Sequence, residues 1–134
     1  MVAVDCNVLA YLLLAGAQTP RARALLEQDA DWHSDALLIV ELTHVLATAM
    51  RVRGLAMSDA AMVLTQAQGV VAPGLHAADH HEVLATAARY RVSAYDARYL
   101  VVARELGVKL VTEDQRLRKA APRLTQTLAD AVGY

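Results

Sequence analysis

The chain has 134 residues, 56 % of them hydrophobic, which is one domain's worth of sequence with enough apolar side chains to bury a substantial core. A formal net charge of −1, a pI near 6.5 and the lack of a basic tail exclude a nucleic-acid binder that works by bulk positive charge. The single cysteine, Cys6, excludes an internal disulfide and agrees with a reducing, cytoplasmic setting.

Aromatics are scarce, with Trp32, five Tyr and no Phe, so the core must be built from Ala, Val and Leu. A small chain this apolar is expected to leave apolar surface for a partner, and a homodimer is the simplest one. Eleven of the 13 Lys and Arg residues are Arg, which favours local bidentate contacts to carboxylate or phosphate. The run "VLAYLLLAGA" imitates the apolar part of a signal peptide. However, no basic residue precedes it, Asp5 stands where one belongs, and the run is too short to span a bilayer. No membrane association is expected.

Val2–Val4 reads as a short buried strand, and Asn7 to about Ala15 as a helix stopped near Gly16, with Asn7 as a plausible cap. Thr19-Pro20 signals the next helix start, with Thr19 as N-cap and Pro20 at the first helical position. Ser34-Asp35 is expected to cap "ALLIVELTHVLATAMRVR", which ends at Gly54. Ser58 should cap "DAAMVLTQAQ", closed by Gly69, and "VVAP" to about His76 reads as a second strand. Asp79 caps "HHEVLATAARY", and Ser93 opens "AYDARYLVVAREL" with Gly107 behind it. "KLVT" is a third strand, "DQRLRKAAP" a short helix broken by Pro122, and "RLTQTL" a last short strand. Short apolar strands alternating with longer helices predict an α/β domain with a mainly parallel central sheet flanked by helices. Ligands of such sheets bind beyond the carboxyl ends of the strands.

Four carboxylates stand out against this pattern. Asp5 ends the first strand, Asp96 follows the loop "RVSAY", and Asp114 follows "KLVTE". Glu41 interrupts the apolar run "ALLIVELTHVL" and lines up at helical spacing with His44 and Thr48. Each acid has an ordinary explanation. Asp96 sits in a capping box, Asp114 is a plain N-cap, and Glu41 could pair with an Arg or with His44. Taken together, they come from four segments that a parallel sheet could bring to one edge. Several converging carboxylates stay ionised only with a cation, and an all-oxygen set selects Mg²⁺ or Mn²⁺. Such an ion serves phosphodiester hydrolysis.

The order "VDCNVL … IVEL … YDARYLVVARELGVKLVTEDQRL" resembles the PIN-domain ribonucleases, most of all the toxins of bacterial VapBC toxin–antitoxin modules. The resemblance spans Val2 to about Leu128 and is most specific from Asp96 onward. It implies a PIN-like three-layer sandwich over residues 1–134 as a single domain. It also implies that Asp5, Glu41, Asp96 and Asp114 form the catalytic, metal-holding quartet for Mg²⁺ or Mn²⁺, with Asn7 and Thr112 orienting them. The implied activity is cleavage of single-stranded or loop RNA by a dimer that a cognate antitoxin blocks. The chain departs from the family by carrying Glu113 beside Asp114, and His44 where the family often has Asn. His44 is open to two roles, touching substrate or holding Glu41. Arg116 is likewise open to contacting RNA phosphates or lying on a solvated helix face.

Other functions fit less well. His76, His80 and His81 could hint at zinc, but the spacing does not put them on one helical face. A signalling receiver would need adjacent acids after the first strand and a Lys at a late strand end, whereas Lys109 begins its strand. An aspartyl phosphatase opens with two acids where this chain has Asp5 and Asn7. A housekeeping PIN nuclease of RNA processing and a non-catalytic Mg²⁺-binding interaction domain remain as the alternatives.

Overall fold

The computed structural model describes residues 1–133. Strands β1 (Val2–Val4), β2 (Trp32–Asp35), β3 (Leu75–His76), β4 (Leu110–Val111) and β5 (Thr125–Gln126) form one sheet in the order β3-β2-β1-β4-β5, and every pairing is parallel. Helices α1 (Cys6–Leu13), α2 (Thr19–Gln28), α3 (Leu37–Arg53), α4 (Met57–Val71), α5 (His80–Tyr90), α6 (Ala94–Leu106), α7 (Gln115–Ala120) and α8 (Leu128–Val132) connect and cover it. Helix α6 lies across β1, β2 and β4 with α5 outside it, while α1 to α4 pack on one another and α8 packs on α2. This is the expected α/β sandwich. Among the described residues no helix is long and apolar enough to cross a membrane.

From β1 the chain builds outward through β2 and β3, then returns to the other side of β1 for β4 and β5. The strand order therefore reverses between β1 and β4, the kind of point at which open parallel sheets bind ligands, beyond the carboxyl ends of their strands. Val4 pairs with Val111, so the next residues along, Asp5 and Thr112, stand side by side there. The core beneath consists of Val4, Val8, Leu9, Trp32, Leu38, Leu42, Leu100, Leu110 and Leu128, all essentially solvent-free.

Local signals place many boundaries where expected. Asp79, Ser93 and Asp114 each accept a backbone N–H of the helix they open. Gly54 and Gly107 end α3 and α6 at φ of 70° and 71°, a conformation that favours glycine.

Four expectations are corrected. Asp5 itself caps α1, accepting Val8 N–H, and Asn7 is an exposed residue inside the helix. Thr19 is no N-cap: its hydroxyl donates to Tyr11 O and accepts from Gly16 N–H, fastening the α1–α2 turn. Ser58 and Gly69 lie within α4, which runs on through Val70 and Val71 because those residues pack on the core. Pro73 then ends it in a 3₁₀ turn over Ala72–Gly74, so β3 keeps only two residues. The segment "WHSD", expected to end in a cap, is strand β2. Its polar side chains hide its identity because each finds a distant partner: Ser34 donates to Val4 O, and Asp35 meets Leu37, Ala78 and Arg98.

The β2–β3 edge is closely fitted. A Cβ on Gly74 would lie 2.1 Å from Trp32 O, so only glycine lets the chain approach β2 there. Beyond it, His33 and His76 stack with ring centroids 5.2 Å apart and share a hydrogen bond of 2.9 Å.

Candidate active site

Asp5 stands at the switch point because the strand that carries it stops there and the helix it caps begins there. Its Oδ1 accepts Val8 N–H at 3.1 Å and its Oδ2 accepts the Thr112 hydroxyl at 2.5 Å. Burial pushes its carboxyl up to about 6; the bonds from Thr112 and Val8 oppose this, and the nearby charges of Asp114 and Asp96 add to it. Thr112 is fully buried and works in two directions, since its Oγ also accepts Asp114 N–H at 3.1 Å. One threonine thus ties the ends of β1 and β4 and the start of α7 together.

Asp114 caps α7 through Oδ1 alone, accepting Arg116 and Leu117 N–H at 2.9 and 3.2 Å. Its second oxygen has no bond among the described residues. The adjacent Glu113 is occupied elsewhere, accepting Leu128 N–H at 2.7 Å at the start of α8. Of the two neighbouring acids, Asp114 is the one that faces Asp5 and Asp96 electrostatically.

Asp96 stands in the first turn of α6, its N–H bonded to Ser93 Oγ at 3.0 Å. Burial raises its carboxyl above the usual range, Asp114 raises it further, and Ser93 offsets part of this. Glu41 reaches the same region from α3. Its partner is Tyr99, whose buried hydroxyl donates to Oε1 at 2.7 Å, and neither an Arg nor His44 takes that place. Tyr99 lies three residues after Asp96, one helical turn on, so α6 supplies both an acid and the holder of another. Between them, burial pushes the Cys6 thiol up to about 12, with Glu41 and Asp5 contributing, so Cys6 is a packed thiol and no nucleophile.

The supporting residues divide. Thr112 contacts Asp5 directly, whereas Asn7 bonds to no acid among the described residues and lines a separate hollow with Tyr11 and Arg53. His44 is exposed and borders a cavity with Glu41 and Asp96. Arg116 is exposed at the start of α7. Arg98 turns away from the acids to a buried pair with Asp35, Nε to Oδ2 at 2.8 Å. The histidines do not assemble a zinc site, since His76 bonds His33 and His80 contacts Arg98.

Among the described residues no three His, Cys, Asp or Glu side chains form a ready-made cage for an ion. Mg²⁺ does not require one, because it keeps several waters and is held through one or two carboxylates. The donor chemistry fits such an ion. It is all carboxylate and hydroxyl oxygen, and the charges of Asp114 and Asp96 raise the proton affinity of Asp5, as that of Asp114 raises the proton affinity of Asp96.

The PIN domain family model matches residues 2–122. The chain belongs to the PIN-domain family. Ribonuclease VapC3 of Pyrobaculum aerophilum is 29 % identical over 125 residues, covering 90 % of this chain and 95 % of that one. The crystal structure of PAE2754 from Pyrobaculum aerophilum superposes with a TM-score of 0.77 at 21 % identity, over 96 % of this chain and 91 % of that one. That of FitAcB from Neisseria gonorrhoeae gives 0.72 at 20 % identity, over 96 % and 98 %. At these identities the structures establish the fold.

Within this PIN domain Tyr99 reads from the sequence as a core or rim residue, and motif spacing did not show that it holds Glu41. Its only signal was position, one turn beyond Asp96 at the start of the buried stretch of α6.

Proposed function

We propose that this PIN domain is a Mg²⁺- or Mn²⁺-dependent endoribonuclease for single-stranded or loop RNA, acting as the toxin of a toxin–antitoxin pair. The observation that carries the reading is the buried Asp5 at the β1–β4 switch point, facing Asp96 and Asp114. Similarity to a protein named as a ribonuclease supports RNA as the substrate.

Asp5, Glu41, Asp96 and Asp114 would hold the ion, directly or through its waters. When bound, the ion supplies positive charge that neutralises the scissile phosphodiester and promotes attack by water. The chain does the rest. Thr112 fixes the orientation of Asp5, Tyr99 fixes Glu41, and the α7 cap leaves one oxygen of Asp114 pointing free. His44 and Arg116 stand at the rim, where they would contact the RNA. Exposed Val52, Met57 and Met62 on α3 and α4 offer apolar surface for a second copy or the antitoxin.

Purified protein with single-stranded RNA and Mg²⁺ should give cleavage that EDTA abolishes and that Asp5→Asn and Asp96→Asn lose. Undiminished cleavage by both variants would sink the site assignment. Expression in a bacterial host should arrest growth, with relief by the product of the adjoining gene. An absence of toxicity would point instead to a housekeeping role in RNA processing.

A further inference from the structure

Two hollows share Val45 of α3; the larger borders Glu41 and Asp96, and the smaller borders Asn7, two residues after Asp5. The larger, about 620 Å³, lies between Val40 and His44 of α3 and Ser93, Tyr95 and Asp96 at the start of α6. The smaller, about 380 Å³, is bordered by Asn7, Tyr11, Gln18 and Arg53. Each is of the size that holds a small organic group.

The larger hollow has an unusual wall. Tyr95 immediately precedes Asp96, yet it is 66 % exposed and forms no hydrogen bond or ring stack among the described residues. Val40, which lines the same hollow, is 65 % exposed. An exposed aromatic ring and an exposed aliphatic side chain in one hollow, within one residue of a carboxylate of the site, suit a flat apolar ring with polar edges. The smaller hollow ends differently. Arg53 is exposed in the last turn of α3 and has no carboxylate partner among the described residues, and Asn7 stands on the same border. These are groups that meet phosphate oxygens.

Resting on the ribonuclease reading, we propose that one RNA strand crosses the acids from hollow to hollow. A base on one side of the scissile phosphate stacks on Tyr95, and a backbone phosphate on the other side meets Arg53 and Asn7. Single-stranded RNA is recognised by such stacking of unpaired bases, and stacking tolerates any base. The polar side chains beside Tyr95 in this hollow are Glu41, His44, Ser93 and Asp96, two of them acids assigned to the ion, so this subsite selects for an unstacked nucleotide more than for its identity.

The test uses short single-stranded RNA with a mapped cut, wild-type protein and Mg²⁺. Tyr95→Ala should raise KM roughly 5- to 100-fold with kcat little changed, while Tyr95→Phe stays near wild type. Replacing the nucleotide beside the cut with an abasic unit should cost wild type the same factor and cost Tyr95→Ala nothing more. Arg53→Ala should weaken binding alike for all sequences and lower the salt slope by about 1. A KM within twofold of wild type for Tyr95→Ala, or an abasic loss that persists in full in that variant, overturns the proposal. So does a Tyr95→Ala protein whose only defect is weaker binding of the antitoxin, which would assign the hollow to that partner. Anisotropy titration of labelled RNA, with Tyr95→Ala compared in the Asp5→Asn background, separates the two levels. Tyr95-dependent binding without any wild-type cleavage would uphold the strand path and overturn the nuclease assignment. Binding that ignores Tyr95 would overturn the path alone.

Discussion

Replacing Asp5 by Asn should stabilise the metal-free protein while removing its activity. Asp5 has an ordinary value of 3.8 and is held near 6 in the fold, chiefly by burial. The folded state therefore binds this proton more tightly than the unfolded chain, and ionising Asp5 costs stability as pH rises from about 4 to about 6. Above that window the full penalty stands, about 3 kcal/mol for a gap of this size. Asn carries no charge and keeps an oxygen for either Val8 N–H or Thr112, losing about 1 kcal/mol for the other. The net gain at pH 7.5 is about 1–2 kcal/mol, or about 3–8 °C in Tm for a domain of this size. Calorimetry in EDTA checks it. The gain should vanish near pH 4, where wild-type Asp5 is protonated. Added Mg²⁺ should raise Tm in wild type and leave Asp5→Asn much less affected. If Asp5→Asn melts below wild type at pH 7.5 without divalent ions, Asp5 carries no unmet charge and the electrostatic argument for the site fails.

Tyr99→Phe removes the hydroxyl that orients Glu41 and should lower kcat several-fold with RNA KM unchanged; stability should fall by only about 0.5–1.5 kcal/mol in urea titration. Arg98→Ala leaves the solvent-free Asp35 with backbone donors alone and should cost about 2–4 kcal/mol, discounted because Arg98 is 20 % exposed. Burial favours protonating Asp35, but Arg98 and the N–H groups of Ala78 and Leu37 outweigh it and hold the carboxyl low. The difference between Arg98→Ala and wild type should therefore be complete above about pH 4 and shrink below it, as chemical denaturation at two pH values would show. Gly74→Ala forces a Cβ into Trp32 O and should cost about 2–4 kcal/mol, with faster hydrogen exchange at Ala36 N–H, whose acceptor is His76 O in β3.

The caps at Asp79, Ser93 and Asp114 and the stops at Gly54 and Gly107 were legible because their physics is local: one side chain meets one backbone N–H, or one residue adopts φ near 70°. Strand β2 was not legible, since Ser34 and Asp35 look like turn residues until Val4, Ala78 and Arg98 are brought to them from 30 to 63 positions away. Helix α8 escaped notice for a related reason. It is five residues long and is held by Glu113 and Gln28 from other segments. Glu41 was visible as an acid in an apolar run, but its partner was not, because Tyr99 is 58 residues distant.

The amino-acid order by itself determined that four acids sit at element ends or within an apolar helical run, and that one of them, Asp5, follows a strand directly. Whether Asp5 was a cap or part of a site could not be read there, since both need the same carboxylate. What bears on that question is tertiary: the strand order reverses between β1 and β4. That reversal brings Thr112 to Asp5 across 107 residues and places Asp96 and Asp114 close enough to raise its proton affinity. Capping is a contact with the next turn of chain, while a shared field of charge exists only once separate strands lie side by side.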